Sequence, residues 1–381
     1  MKGKTILFVT SYPINEEPVI RNRLIPYIEQ ALEYGSHVTL LSTDSIESQY
    51  LIDKGVQHVL VKDEKRKPSG MISRAIFEHA QAKAILKTVR KLEFSACIVT
   101  IPSMFLLFSA FKLNNRAMYL DVRDITWEYL SNKNFIIRFV KFGLKWLARN
   151  KVQLFNRVAV TNSTEELYLK ELINKTSPSI HVVSNGVSSQ QYSELVSIPV
   201  KNKRDSVVSY IGNVGLAQNL KLIVDVAESL PDVKFNIVGD GTDFESVKSY
   251  VAEKKVANVN LTGRVTWQEV LGYYYESDIL YAQLTKEFSG AMPSKLYEYL
   301  CVGRYIIYGG EKQAESILSQ FSNCIIIEPD DKEQLSKSIA DYFNNQVVND
   351  SCYLDNRIKI KDKYIREDNI ARFLSLVERD L

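Results

Sequence analysis

The feature that most constrains the fold is an alternation, run through twice, of short continuous apolar stretches with longer amphipathic ones. Thr5-Ile6-Leu7-Phe8-Val9-Thr10 has an unbroken apolar centre, as a strand buried on both faces requires. A helix is predicted from about Val19 to Tyr34, with Leu24, Ile28, Ala31 and Leu32 inward and Gly35 as its stop. His37-Val38-Thr39-Leu40-Leu41 is the next strand, and His37 reads as its opening residue. Such a strand–helix–strand unit implies a right-handed crossover and a parallel sheet. Further strands are predicted at Ser95–Thr100, Ala117–Leu120, Arg157–Thr161 and His181–Val187, with helices over about 72–91 and 105–113. Lys62–Pro68 reads as a surface loop, and the polar, aperiodic Gln190–Arg204 as a linker.

The pattern then restarts. Strands are predicted at Val207–Ile211, Val233–Val238, Val259–Thr262, Ile279–Tyr281, Tyr305–Tyr308 and Cys324–Ile327, with helices over about 220–230, 269–275 and 332–344. The expected architecture is α/β, with two doubly wound Rossmann-like domains, residues 1–190 and 200–362, facing a central cleft. A closing helix near Arg366–Arg379, within 363–381, is expected to pack back on the first domain.

A net charge of +3 is too small to argue for a nucleic-acid partner. Cys97, Cys301, Cys324 and Cys352 are scattered without metal-ligand spacing and read as reduced thiols in a cytoplasmic protein. Met1-Lys2-Gly3-Lys4 leads straight into a strand, so no signal peptide is expected, and no stretch is long and apolar enough to span a bilayer. The first strand–helix turn lacks GxGxxG, which argues against a dehydrogenase.

Ser289-Gly290-Ala291-Met292-Pro293-Ser294-Lys295-Leu296-Tyr297-Glu298 reads as a small-residue loop feeding a helix. Pro293 suits the first helical position, and the N–H groups after it would meet an anion such as a diphosphate at the positive end of the helix dipole. On a helical wheel Leu296, Tyr299 and Leu300 form the buried stripe. Ser294, Lys295 and Glu298 share the opposite, exposed face, where a carboxylate could take sugar hydroxyls. The same spacing also fits an ordinary amphipathic helix with a solvated polar side. Asp121-Val122-Arg123-Asp124 follows a strand end, where open α/β sheets bind ligands, and equally fits a salt-bridged strand end. Phe135–Lys151 carries five basic and no acidic residues among aromatic ones. It suits either contact with an anionic membrane or a core helix with a basic edge.

Four motifs, in this order, resemble retaining glycosyltransferases of family 4, which have the GT-B fold. Asp121-Val122-Arg123-Asp124 is similar to the Asp-x-Arg-Asp of a branch that includes fucosaminyl- and related bacterial polysaccharide transferases, although Ile125-Thr126-Trp127 departs from its continuation. Ser184-Asn185-Gly186-Val187 resembles the family's hinge motif, Gly212–Leu220 its first loop of the second domain, and Pro293–Gly303 its Pro-Ser-Lys-Leu-Phe-Glu-Tyr-Leu segment.

The resemblance implies a nucleotide-sugar donor, UDP-linked, held by Gly212, Asn213, Gly215, Gln218, Arg264, Gly290, Ala291, Met292, Pro293, Ser294, Lys295, Leu296 and Glu298. Glu298 matches the ribose-binding second Glu of the family's E-x7-E signature, while Gly290 stands where the first Glu is expected. Gln218 and Asn219 lie near positions where many members place cations, leaving Lys221 as the close cation. Asp124, with Arg123 as neighbour, is the expected catalytic contact to the acceptor hydroxyl. The acceptor would be a growing bacterial surface glycan, lipid-linked at the inner face of the cell membrane. No metal and no cofactor beyond the donor are expected. Two alternatives stay open: a sugar-nucleotide epimerase of the same architecture, and a non-catalytic sugar-nucleotide-binding partner of another transferase.

Overall fold

The computed structural model describes residues 1–381 except 62–69, 111–116, 131–134, 174–177, 202, 289–292, 311–312 and 345–350. The expected loop at Lys62–Pro68 therefore lies outside the described residues, as do Gly290, Ala291 and Met292. The chain divides into one unit of Met1–Asn185 with Arg366–Leu381, and a second of Gly186–Ile365.

The first unit runs β1 (Thr5–Thr10), α1 (Pro18–Glu33), β2 (His37–Ser42), α2 (Gln49–Asp53), β3 (Gln57–Leu60), α3 (Met71–Val89) and β4 (Ala96–Ile101). It continues with α4 (Met104–Ala110), β5 (Ala117–Val122), α5 (Phe135–Val152), β6 (Arg157–Val160), α6 (Ser163–Ile173) and β7 (Ser179–Val182). Its sheet is parallel throughout, in the order β3-β2-β1-β4-β5-β6-β7. Strand faces alternate, so Leu7 and Val9 enter one apolar cluster while Ile6 and Phe8 enter the other.

The second unit runs α7 (Ser189–Val196), β8 (Val207–Ile211), α8 (Lys221–Ser229), β9 (Lys234–Val238), α9 (Phe244–Lys254), β10 (Val259–Gly263) and α10 (Trp267–Glu276). Then come β11 (Ile279–Gln283), α11 (Lys295–Val302), β12 (Tyr305–Gly309), α12 (Gln313–Leu318), β13 (Cys324–Ile327), α13 (Lys332–Asn344) and α14 (Ser351–Lys363). Its parallel sheet has the order β10-β9-β8-β11-β12-β13. In each sheet the strand order reverses once, between β1 and β4 and between β8 and β11. Loops leaving neighbouring strands diverge at such a point and leave a crevice at the carboxyl ends.

The last helix, α15 (Arg366–Arg379), belongs to the first unit, where Ile370, Phe373, Leu374 and Val377 pack with Leu24, Tyr27 and Ile28 of α1. Gly186 has φ +41°, and a Cβ there would lie 2.0 Å from Tyr364 O, so the Asn-Gly step admits no side chain at its second position. Val187 N–H donates to Tyr364 O within the second unit (3.0 Å), and Arg366 Nε to Asn185 O within the first (2.7 Å).

Several boundaries differ from expectation. The division falls at 185/186 and 365/366 rather than in a linker at 190–204, because Ser189–Val196 is helical. A capping box between Ser188 and Gln191 starts that helix, and only Leu195 among its residues is buried, so its sequence reads as polar. Strand β7 ends at Val182, not Val187. Cys97, Cys301 and Cys324 are not disulfide-bonded.

Candidate functional site

The second unit gathers most of the named residues at its strand reversal. Gly212 follows β8, and α11 follows the loop after β11, the adjacent strand. The two are pinned together by Tyr299, fully buried in α11. Its hydroxyl accepts from Ile211 N–H (2.8 Å) and donates to Ile211 O (3.1 Å). A Cβ on Gly212 would lie 3.5 Å from Lys295 Cγ, so the loop start and the helix start share one place. Gly239, after β9, has φ +135°, and a Cβ there would lie 1.9 Å from Gly212 O. Only glycine permits that approach. Gly239 N–H in turn donates to Gly263 O (3.0 Å), so Arg264, exposed after β10, stands at the same end of the sheet.

Helix α11 starts two residues later than expected: Ser294 is its N-cap and Pro293 precedes it. Leu296 N–H donates to Pro293 O and Tyr297 N–H to Ser294 O, both at 3.2 Å. Those two N–H groups are spent in the first turn and do not point outward. The Leu296 side chain is core, as the wheel placed it, and only its backbone borders the site.

Glu298 departs from the wheel. It is 8 % exposed rather than solvated, because neighbouring helices cover α11 on several sides. Tyr274 Oη donates to Glu298 Oε2 (2.9 Å), and Lys295 Nζ lies 3.1 Å from the same oxygen. Burial, then the Glu298 charge, raises the Tyr274 pKa well above its ordinary value, so this phenol stays a donor. A buried carboxylate held by one tyrosine and one half-exposed lysine is not a solvated polar face. It is an acceptor group with a part-exposed ammonium as its partner. Gly303, in the left-handed region at φ +77°, ends the helix, and Arg357 donates to Cys301 O (3.0 Å) and Val302 O (3.1 Å).

The Gly212–Asn219 loop is ordered largely by its own side chains. Gln218 Oε1 accepts from Gly215 N–H (3.1 Å), Tyr210 Oη donates to Asn213 O (2.6 Å), and Asn219 Nδ2 donates to Asp330 Oδ1 (2.7 Å). Gln218 thus shapes the loop, while the Asn213 side chain is exposed beside it. Lys221 stands over the Tyr250 ring, 5.6 Å from its centroid.

In the first unit, the Asp121–Asp124 segment splits into two roles. Asp121 is fully buried. Arg23 Nη2 donates to its Oδ1 (2.6 Å) and Thr100 Oγ1 to its Oδ2 (3.2 Å). Arg23 also donates to Val183 O (2.6 Å). Burial opposes the Arg23 charge, but Asp121 outweighs it, so its pKa is raised. Asp121 is therefore the salt-bridged strand end, and Arg123 and Asp124 lie beyond it. Burial lowers the Arg123 pKa, Asp124 opposes that fall, and Arg123 Nε is buried without a hydrogen-bond partner.

Glu165 is a group the sequence did not single out. It is buried near the start of α6 and accepts from Thr161 N–H (2.9 Å) and Thr161 Oγ1 (2.7 Å). Burial pushes its pKa up to about 7; the Thr161 bonds pull it down, and Asp124 adds to the rise. The Asn162-x-x-Glu165 cap spacing was the available signal. Ser42, His58 and Asp44 also meet, with His58 Nε2 2.8 Å from Ser42 Oγ. They do not form a nucleophile–base pair. Ser48 N–H donates to His58 Nδ1 (2.8 Å), which puts the ring proton on Nε2, and burial lowers the His58 pKa. Asp44 instead holds Ile14 N–H (2.9 Å) and Asn15 N–H (2.8 Å), fixing the loop after β1.

Residues 192–360 match the family model described as glycosyl transferases group 1. A curated relative, an uncharacterized glycosyltransferase of Methanocaldococcus jannaschii, is 19 % identical over 230 residues, 58 % of each chain. The match thus spans little more than half of that relative. Among solved structures, sucrose-phosphate synthase from Thermosynechococcus elongatus superposes with a TM-score of 0.73 at 12 % identity, over 99 % of this chain and 98 % of that one. HepE of Anabaena, solved in complex with UDP, does so with a TM-score of 0.71 at 14 % identity over all of both chains. The two parallel-sheet, Rossmann-like units have the fold of GT-B glycosyltransferases, and the second carries the glycosyl transferases group 1 match.

Proposed function

We propose that this chain is a retaining, metal-independent glycosyltransferase of family 4, in the fucosaminyltransferase-like branch. It moves a sugar from a UDP-linked donor to a growing, lipid-linked bacterial surface glycan at the inner face of the cell membrane. One observation carries the donor reading: the buried Glu298 carboxylate and the Lys295 ammonium stand beside Gly212, where the second sheet reverses its strand order. All of these residues fall within the matched span 192–360, and HepE, of the same fold, was solved with UDP.

In this reading the ribose hydroxyls donate to Glu298, whose geometry Tyr274 fixes. The Lys295 ammonium then leaves the carboxylate for the diphosphate, which its flexible stem allows. As the sugar–phosphate bond breaks, negative charge grows on the leaving diphosphate and the sugar becomes oxocarbenium-like. Lys295 meets that growing charge. Asp124 accepts a hydrogen bond from the acceptor hydroxyl, whose oxygen bonds the sugar carbon as the phosphate leaves and whose proton passes to the departing phosphate oxygen, and Arg123 keeps a guanidinium beside it.

The test is release of UDP from a panel of UDP-sugars with glycan acceptors, in EDTA. Lys295→Ala and Glu298→Ala should each lower turnover by about 10²-fold, the scale of losing one pre-aimed charge or donor. Asp124→Asn should lower turnover and leave donor binding intact. Unchanged turnover in all three variants overturns the assignment, and UDP binding without transfer on any acceptor favours a non-catalytic binding protein.

A further inference from the structure

Helix α5 has a face that the proposed chemistry does not use. At roughly 100° per residue, Phe135, Phe139, Phe142 and Trp146 fall within an arc of about 60°. The structure leaves them 80, 72, 70 and 62 % exposed. Four large aromatic side chains in one strip exceed the scattered apolar exposure usual on a protein surface. The opposite side is anchored: Ala148 and Val152 are fully buried, and Leu144 packs on the core.

The charges on the helix divide as well. Lys141 is only 8 % exposed, with its Nζ 2.9 Å from both Glu128 O and Glu128 Oε2. Lys145 Nζ lies 2.6 Å from Glu128 Oε1. These two lysines fix the helix to the turn at Thr126–Tyr129, and are not the anion-seeking groups their sequence positions suggest. Arg138 and Arg149 remain exposed, and the wheel places both on one flank of the aromatic strip.

We infer that α5 lies flat on an anionic phospholipid surface, with Phe135, Phe139, Phe142 and Trp146 entering the interface and Arg138 and Arg149 meeting headgroup phosphates. Aromatic rings flanked by arginine suit the boundary between acyl chains and headgroups. A second copy packed antiparallel through this strip fits less well, because that two-fold would set the arginine flanks against one another. The helix does not span: no helix of the described residues is long and apolar enough to cross a membrane. Glu128 follows Asp124 by four residues, so the Lys141 and Lys145 contacts tie the segment after the proposed acceptor loop to the docked helix.

Flotation of the full chain with vesicles, without any donor, tests this apart from the donor site. Vesicles of phosphatidylglycerol and phosphatidylcholine should capture the protein, and Trp146 emission should shift to the blue, a shift that Trp146→Phe removes. Changing Arg138 and Arg149 to Gln should weaken capture about fivefold per arginine. Changing Phe142 and Trp146 to Ser should lower it at least tenfold. All these side chains are exposed, so thermal midpoint and UDP affinity should stay as in the parent chain. The inference is overturned by no capture on anionic vesicles, by capture that the Phe142 and Trp146 changes do not weaken, or by a solution dimer that the same changes dissociate.

Discussion

Glu165 shows how a single buried group sets a measurable property. Its folded pKa, about 7, lies above its ordinary value of 4.5, chiefly through burial. The stability this contributes is fully present below pH 4.5 and is lost as pH rises through about 7. Glu165→Gln keeps the acceptor for Thr161 N–H and cannot ionise. Between pH 4.5 and pH 8 the stability difference between the parent chain and this variant should change by about 3 kcal/mol, read by urea unfolding at each pH. A parallel pair of stability curves would show that Glu165 does not titrate as placed. At this scale a motif named Lys295 and Glu298 together, and the structure sets their charged ends 3.1 Å apart. The sequence was opaque where meaning depends on a distant partner. Nothing near Arg23 announces that it pairs with Asp121, and Glu298 is covered by Tyr274 from another helix.

Among the elements, α11 repays comparison with its sequence. The wheel placed Leu296, Tyr299 and Leu300 inward, and they are. A wheel knows one helix at a time, so it could not see that α7 and α14 also pack on α11 and leave little of it exposed. Elements with long apolar runs, such as β8 and β13, were readable because the run itself is the signal. The short edge strand β3 and helices α6 and α7 were missed, since each buries few residues and reads as polar. Tyr299 joins α11 to the end of β8, beside the proposed donor site. Tyr299→Phe leaves Ile211 N–H buried without that acceptor and should cost roughly 1–3 kcal/mol in urea unfolding. It should also weaken UDP binding by displacing Gly212. A variant as stable as the parent would remove this hydroxyl from the account.

The whole molecule is two parallel-sheet units joined by two crossings of the chain, and one of those crossings has a structural consequence. Helix α15 returns to the first unit after the second is complete and covers α1 with Ile370, Phe373, Leu374 and Val377. Fully burying side chains of this size contributes about 1.5–3 kcal/mol each. A chain ending at Ile365 should therefore lose the cooperative unfolding of the first unit and retain that of the second, as read by calorimetry. Two transitions of parental size would contradict that role for α15. The doubly wound pattern and the closing helix were legible because strand–helix alternation repeats over the whole length. The points of division were not, because a capped polar helix occupies the stretch that read as a linker.

The proposed UDP-sugar site is built around Glu298 and Lys295 at the strand reversal of the second sheet. Titration calorimetry of UDP into the full chain in EDTA tests it most directly, with Glu298→Ala and Lys295→Ala alongside. Binding to the parent chain is expected, weakened at least tenfold by each substitution, with the folded state intact in both. Binding that neither substitution weakens would place the nucleotide elsewhere, and no binding of UDP or any UDP-sugar would rule the proposed site out.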